Sequence, residues 1–122
     1  MECPKCETQM VIITHEGITI DRCTGCGGIW FDANERESLL ATANGARAVD
    51  TGDPKLGQQM NENDRINCPH CTTQMIRMVD NDRPDIHFEQ CAACGGSFLD
   101  AGELRELKRV TLSRVLQRLL EL

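Results

Sequence analysis

Eight cysteines stand in four Cys-x-x-Cys pairs along this chain of 122 residues. Two such pairs separated by a short segment are typical of a metal centre, because each pair forms a tight turn that directs two sulfurs to one point. The first set follows the pattern C-x2-C-x16-C-x2-C and the second follows C-x2-C-x19-C-x2-C. The predicted metal ligands are Cys3, Cys6, Cys23 and Cys26 in the first set and Cys68, Cys71, Cys91 and Cys94 in the second.

Four thiolates around one ion predict a structural zinc site. They complete a tetrahedral Zn²⁺ shell, whereas a catalytic zinc usually keeps a water beside three protein ligands. We therefore expect two Zn²⁺ ions and no enzymatic activity. Iron is the alternative metal, because a four-thiolate site also suits it. Disulfides are less favoured, since the N-terminal stretch MECPKCETQM has no apolar signal-peptide core and a cytoplasmic location is expected, where paired cysteines favour metal.

Other side chains offer little catalytic chemistry in this sequence. His15 stands in a predicted turn, His70 inside the second CPxC turn and His87 on the polar side of a predicted strand. We expect all three at the surface, because four thiolates already complete each metal site. The sequence contains no GxSxG, Walker-type or HExxH motif, which are patterns of hydrolases, nucleotide-binding proteins and metalloproteases.

The two cysteine sets belong to two copies of one unit. CPKCETQM at residues 3–10 recurs as CPHCTTQM at 68–75. CTGCGGIWFDANE at 23–35 recurs as CAACGGSFLDAGE at 91–103. Repetition of this kind within one chain predicts a tandem module.

The repeats divide the chain into three predicted parts. Residues 1–44 form a first zinc ribbon with a short helix, 45–66 a linker, and 67–122 a second zinc ribbon with a long helix. The linker is polar and contains Gly and Pro, so we expect it to be flexible or loosely packed from about residue 50 to 66. The predicted fold class is a small zinc-dependent α+β protein made of two tandem zinc ribbons.

Each ribbon is expected to be a β-hairpin with one cysteine pair before it and one at its far end. The predicted strands are residues 10–13, 18–22, 76–79 and 86–90, which are β-branched or alternate in polarity. Gly27 and Gly95 follow the second cysteine pair of their copies, where we expect a positive φ. Trp30 and Phe98 are expected to cover the hairpins and to form a small core beside the metal.

The tail after each CGG sequence predicts the start of a helix. We expect the aspartate to be the N-cap and the glutamate three residues later to accept from the N-cap N–H, as in a capping box. The predicted pairs are Asp32 with Glu35 and Asp100 with Glu103. The first helix is predicted at residues 33–43, before Asn44-Gly45, whereas the second continues to Leu122 because no Gly or Pro interrupts it.

The long C-terminal helix carries two apolar stripes. Leu104, Leu107 and Val110 share one side at about 100° per residue, and we expect them to face their own ribbon. The second stripe lies about a third of a turn away and needs another surface to cover it. That surface is the first ribbon, a second copy of the chain or a different protein. The residues of this predicted interaction stripe are Leu112, Val115, Leu116, Leu119, Leu120 and Leu122.

The charge of the chain argues against a nucleic-acid partner, and its apolar runs are too short for a membrane span. The formal net charge is −6, and two zinc tetrathiolate centres would lower it to about −10, which repels phosphates. A basic set on the long helix still leaves nucleic acid as an alternative partner: Lys108, Arg109, Arg114 and Arg118. No apolar run approaches the roughly 20 residues of a membrane span.

The motifs resemble those of a known family. CPKC, a hairpin and CTGCGGIWFDANE are similar to CPxC followed by CxxCGGxWxDxxE, the pattern of the small prokaryotic transcription factor IIB-type zinc-ribbon proteins. The second copy departs from this pattern at Ser97 and Phe98, where an apolar residue and Trp are usual. The resemblance covers residues 1–40 and 67–107 approximately, and it implies a zinc-ribbon fold with metal at the eight cysteines. The transcriptional role in the family name rests on fold analogy.

These observations favour a zinc-binding, non-catalytic adaptor that mediates protein–protein interactions, with the transcription machinery as the candidate setting. The first alternative is a nucleic-acid-binding transcription regulator. The second is a thiol-based redox or zinc sensor, because zinc-bound thiolates can oxidise and release their metal.

Overall fold

The computed structural model describes residues 1–121. The strands in this range are β1 (Met10–His15), β2 (Ile18–Cys23), β3 (Ile29–Phe31), β4 (Ile76–Val79), β5 (His87–Gln90) and β6 (Ser97–Leu99). The helices are α1 (Glu35–Ala41), α2 (Gly45–Val49), α3 (Pro54–Met60) and α4 (Glu103–Leu120). Both predicted hairpins are present, as β1 with β2 and β4 with β5.

The two copies form one antiparallel sheet of six strands in the order β1-β2-β3-β6-β5-β4. Its centre is the pairing of β3 with β6, where Trp30 lies opposite Phe98. Two copies that meet through the same strand are related by an approximate two-fold axis. The sequence did not predict these two strands, because three residues are too short to show an alternating pattern.

The second glycine of each CGG sequence makes room for this pairing. A side chain at Gly28 would collide with the ring of Phe98, and one at Gly96 would collide with the ring of Trp30. Each aromatic ring therefore lies over a glycine of the other copy. The rings were expected to cover their own hairpins, and the structure shows that they join the two copies instead.

The central strands separate two layers, because successive side chains point to opposite faces of a sheet. Trp30 and Phe98 lie on the same side as the cysteines. Ile29, Phe31 and Leu99 lie on the other side, in a core that the helices cover. The helices contribute Leu39, Ala46, Val49, Leu104, Leu107 and Val110 to that core.

The segment between the copies is folded rather than loosely packed. Helix α2 buries Val49 in the core. Asp53 is the N-cap of α3, and its carboxylate accepts a hydrogen bond from the Lys55 N–H. Gly57 of α3 is buried against Ala101, so closely that a Cβ would collide with the Ala101 carbonyl. The expectation of a flexible or loosely packed linker from about residue 50 to 66 is therefore wrong. The three-part division of the chain stays a prediction about sequence units.

Helix α4 has a packed half and a projecting half. Leu104, Leu107 and Val110 are buried as predicted. Lys108 Nζ donates to the carbonyls of Leu40 (2.6 Å) and Thr42 (2.9 Å) at the end of α1, which ties the helices of the two copies together. The projecting half exposes the second stripe, namely Leu112, Val115, Leu116, Leu119 and Leu120. Leu122 lies outside the described residues. None of the helices described is long and apolar enough to cross a membrane.

Candidate metal centres

The hairpins bring the predicted ligands into two groups. The first centre contains Cys3, Cys6, Cys23 and Cys26, and the second contains Cys68, Cys71, Cys91 and Cys94. In each centre the four sulfurs lie within 4.8 Å of one another. The residue after each cysteine pair has a left-handed backbone, with φ between 60° and 78°: Glu7, Gly27, Thr72 and Gly95. The positive φ predicted for the two glycines is confirmed.

The geometry and chemistry of both groups fit zinc. A tetrahedral Zn²⁺ with bonds of about 2.3 Å holds its sulfurs about 3.8 Å apart. The sulfurs of Cys3 and Cys26 are 3.7 Å apart, and those of Cys68 and Cys94 are 3.8 Å apart. Backbone N–H groups also donate to sulfur, as from Gly25 to Cys23 at 3.3 Å. Two four-cysteine centres of this kind are compatible with two Zn²⁺.

Local hydrogen bonds favour one thiolate in each centre. The thiol of Cys26 lowers the pKa of Cys3 to about 5 by donating a hydrogen bond. The backbone N–H of Cys94 lowers the pKa of Cys91 to about 6. A metal ion binds the deprotonated sulfur, so these hydrogen bonds act in the direction that favours metal binding.

The two centres differ in exposure. In the first centre Cys26 is 4% exposed, whereas its counterpart Cys94 in the second centre is classed with the exposed residues. The chain around residue 52 lies over the first centre, since Gly52 contacts Gly27. The first centre is therefore shielded from solvent by the segment between the copies.

Lys5, which stands between two ligands of the first centre, joins that centre to the second copy. Its Nζ lies 2.7 Å from a carboxylate oxygen of Glu89 and 2.7 Å from one of Asp100. It also donates to the Met60 carbonyl at the end of α3 (3.0 Å). Burial alone would lower the pKa of Lys5, but Asp100 and Glu89 raise it. One buried ammonium thus links the turn between Cys3 and Cys6, the second ribbon and α3.

The carboxylates around Lys5 outnumber it. Burial raises the pKa of Glu89 to about 7 and that of Glu103 to about 9. Burial also raises the pKa of Asp100. Glu103 lies next to this group, and its Oε1 atom has no hydrogen-bond partner among the described residues. Burial therefore favours the protonated form of these carboxylates more than it is favoured at the surface.

The capping boxes form only in part. Glu35 accepts from the Asp32 N–H at 2.8 Å, and Glu103 accepts from the Asp100 N–H at 3.1 Å. The predicted N-cap role of Asp32 and Asp100 is wrong, because α1 and α4 begin at the glutamates themselves. The Asp32 carboxylate accepts from the Trp30 indole N–H at 3.0 Å instead, and that of Asp100 accepts from Lys5.

Asp50, which the sequence did not single out, supplies the missing cap. Its buried carboxylate accepts from the N–H of Gly102 at 2.9 Å and from that of Arg105 at 3.1 Å, at the first turn of α4. A negative charge at this end of a helix is stabilising. The interaction spans 52 residues of sequence, so no local pattern indicates it.

The histidines lie in three different environments. His70 is exposed as expected, but it contacts the first copy, with its ring centroid 5.6 Å from that of Trp30. His15 is half-buried. The surface position expected for His87 is wrong, because its strand is covered and its side chain is buried. Burial lowers the pKa of His87.

Comparison with known proteins agrees with this architecture. The model of the transcription factor zinc-finger family matches residues 2–42 and 67–110, which are the two copies. The chain belongs to the transcription factor zinc-finger family. This confirms the resemblance seen in the motifs, and it makes the chain a zinc-binding protein of the transcription-factor zinc-ribbon type.

Two further comparisons place this zinc-finger protein among its relatives. The chain is 28% identical over 104 residues to a protein named Transcription factor S from Sulfolobus acidocaldarius. That alignment covers 76% of this chain and 91% of the relative. No solved structure matches the chain significantly.

Proposed function

We propose that this chain is a non-catalytic zinc-ribbon adaptor that binds a protein of the transcription machinery through the projecting half of α4. The observation that carries the proposal is the exposed apolar stripe, whose five described residues are 48–87% exposed. Leu112, Leu116 and Leu119 follow the spacing of a helix face that packs against another protein. A contiguous apolar surface of this kind on a soluble protein marks an interaction site.

The transcription machinery is the proposed setting because of the family and the relative. Both the family description and the name of the Sulfolobus relative refer to transcription factors. The closed four-cysteine centres support a non-catalytic role, since a tetrathiolate zinc has no position for a substrate. The zinc ions would then act as staples that hold α4 on its ribbon.

The ion pairs of α4 favour a protein partner over nucleic acid. Arg114 pairs with Asp80 (2.6 Å) and Asp82 (2.8 Å) in the hairpin turn of the second copy. Arg109 pairs with Glu106 at 3.1 Å, and Lys108 is held by carbonyls of the first copy. Cations that already have partners contribute little to phosphate binding, which depends on released counterions.

The test compares two triple variants of equal charge. Lysine at Leu112, Val115 and Leu119 disrupts the stripe, whereas lysine at Thr111, Ser113 and Gln117 changes other exposed positions of the same helix. We expect the first variant to lose binding to the purified RNA polymerase of the encoding organism, and the second to keep it.

Light scattering of both variants separates a hetero-partner from self-association. A wild-type chain that dimerises through the stripe but binds no polymerase would contradict the proposed partner. Equal polymerase binding by both variants would contradict the proposed role of α4. A salt-dependent mobility shift of DNA or RNA by the wild type would favour the nucleic-acid alternative instead.

A further inference from the structure

The approximate two-fold axis relates two clusters of charged residues. In the first cluster Lys5 pairs with Glu89 and Asp100, and Glu103 accepts a hydrogen bond from the Asp100 N–H. The counterparts in the repeat, read from the matching motifs, are His70 for Lys5, Asp21 for Glu89, Asp32 for Asp100 and Glu35 for Glu103. We call the first cluster the covered face and the second the open face.

The covered face binds the Lys5 ammonium group beneath helix α3. The side chains of Lys5 and Glu89 are 0% exposed and that of Asp100 is 1% exposed. Helix α3 covers this group, because its Met60 carbonyl accepts from Lys5 and its Gly57 packs on Ala101. Lys5 Nζ also lies 5.6 Å from the centre of the Phe98 ring, within cation–π range.

The open face keeps the carboxylates and the aromatic ring, but a histidine stands in the place of Lys5. The side chain of Asp32 is 62% exposed and that of His70 is 49% exposed. His70 Nε2 is 3.6 Å from Asp32 Oδ1, which is too long for a good hydrogen bond. Ala33 is exposed as well, whereas its counterpart Ala101 is covered by α3. The surface that α3 covers in one copy is thus available in the other.

We propose that the open face binds a lysine side chain supplied by a protein partner, as the covered face binds Lys5. The equivalent carboxylates already coordinate an ammonium in this molecule, so the chemistry of the site is shown by its own repeat. Trp30 offers the aromatic group that Phe98 offers to Lys5.

The spacing of these groups favours an organic cation over a metal ion. Among the described residues, the sets of three or more potential ligand atoms within 4.8 Å of one another are the two cysteine groups. The carboxylates of the open face therefore do not converge on a point as metal ligands do. The carboxylates of the covered face, which hold the Lys5 ammonium, are not among those sets either.

The open face is a separate surface from the α4 stripe, and the proposal does not depend on the polymerase as partner. Within an adaptor it would supply a second contact to a basic segment. The α4 variant with lysine at Leu112, Val115 and Leu119 should still bind a lysine probe. Loss of polymerase binding with probe binding intact would therefore separate the two proposals.

The test titrates the ¹⁵N-labelled, zinc-loaded full chain with the peptide acetyl-Gly-Lys-Gly-Lys-Gly-amide and with the same peptide bearing acetyl-lysine. We expect saturable shifts of the Trp30 indole N–H and the His70 amide with the first peptide and none with the second. Asp32→Asn should weaken binding by about tenfold, because charge-assisted hydrogen bonds are the strong ones. Glu16→Gln, an exposed residue in the hairpin turn, is the matched control and should have no effect.

A second variant asks whether the protein can fill the site itself. His70→Lys places an ammonium where Lys5 stands in the other copy, and it should abolish peptide binding without changing the zinc content. Equal shifts with the acetylated peptide would overturn the proposal. So would equal weakening by Asp32→Asn and Glu16→Gln, which would indicate diffuse attraction to an acidic protein. Unchanged peptide binding by a folded His70→Lys variant would overturn it too.

Discussion

Lys5 and His70 occupy the same position in two matching knuckles, yet their surroundings are opposite. Lys5 is fully buried between carboxylates and α3, while the His70 side chain is half exposed. The residues around them are homologous in the repeat, so the difference does not come from the ribbons. It comes from residues 50–60, which cover one copy. A duplicated module thus becomes asymmetric through a single inserted segment.

The largest expected effect is the removal of both metal ions. Four-thiolate zinc supplies most of the folding free energy of small ribbons, about 10–16 kcal/mol in isolated zinc fingers. A strong chelator should therefore abolish cooperative unfolding, as measured by circular dichroism. The second centre should release its metal first, because Cys94 is exposed and Cys26 is not. Native mass spectra that show simultaneous loss, or loss from the first centre first, would contradict the role given to the covering segment.

Replacement of Lys5 should come next in size. Lys5→Ala leaves Glu89 and Asp100 buried without their cation, and removing one partner of a buried ion pair costs about 3–5 kcal/mol. His70→Ala removes an exposed partner and should cost less than about 1 kcal/mol. Urea unfolding of both zinc-loaded variants measures the contrast. Equal losses in the free energy of unfolding would show that burial under α3 does not strengthen the interactions of Lys5.

The pH dependence should also distinguish the two faces. The pKa of Glu103 rises from its ordinary 4.5 to about 9 in the folded chain, so the native state prefers the protonated form. The contribution of Glu103 to the free energy of unfolding is therefore fully present below the pKa of the unfolded chain. It is lost as the pH rises through the pKa of the folded chain. Glu103→Gln removes this loss. We therefore expect the free energy of unfolding of the variant, taken relative to that of the wild type, to be about 1–3 kcal/mol higher at pH 8 than at pH 5.

The matched change on the open face is Glu35→Gln. Burial raises the pKa of Glu35 as well, but the residue is only half-buried, so the same comparison should give a smaller change. Thermal unfolding at both pH values provides the measurement. A larger pH effect at Glu35 than at Glu103 would reverse the assignment of covered and open faces.

The smallest predicted effect concerns the helix starts. Asp50→Asn weakens the cap on α4 and should cost about 1 kcal/mol, a typical value for a lost cap. Asp32→Asn keeps an acceptor for the Trp30 indole and touches no helix N–H, so its cost should be close to zero. The two variants can be compared by urea unfolding at neutral pH. If Asp32→Asn lowered the free energy of unfolding as much as Asp50→Asn does, Asp32 would also be a helix cap.

Local patterns in the sequence predict the parts of the fold that local chemistry determines. The cysteine spacing identified the groups that come together, the alternation identified the hairpins, and Gly27 has the left-handed backbone that its position indicated. The features that were missed depend on contacts between distant residues. Asp50 caps a helix that begins 53 residues later, and Lys5 meets a carboxylate 95 residues away. A sequence shows such residues only as isolated charges.

The glycines under the aromatic rings show what kind of molecule the duplication produced. Each half fills a gap in the other with its ring, so neither half has a complete core of its own. The molecule is in effect a dimer whose subunits have been joined end to end. The connecting chain adds a high effective concentration to the recognition between rings and glycines. Two fragments produced by cleavage at the exposed Thr51 should therefore remain associated and keep both metals.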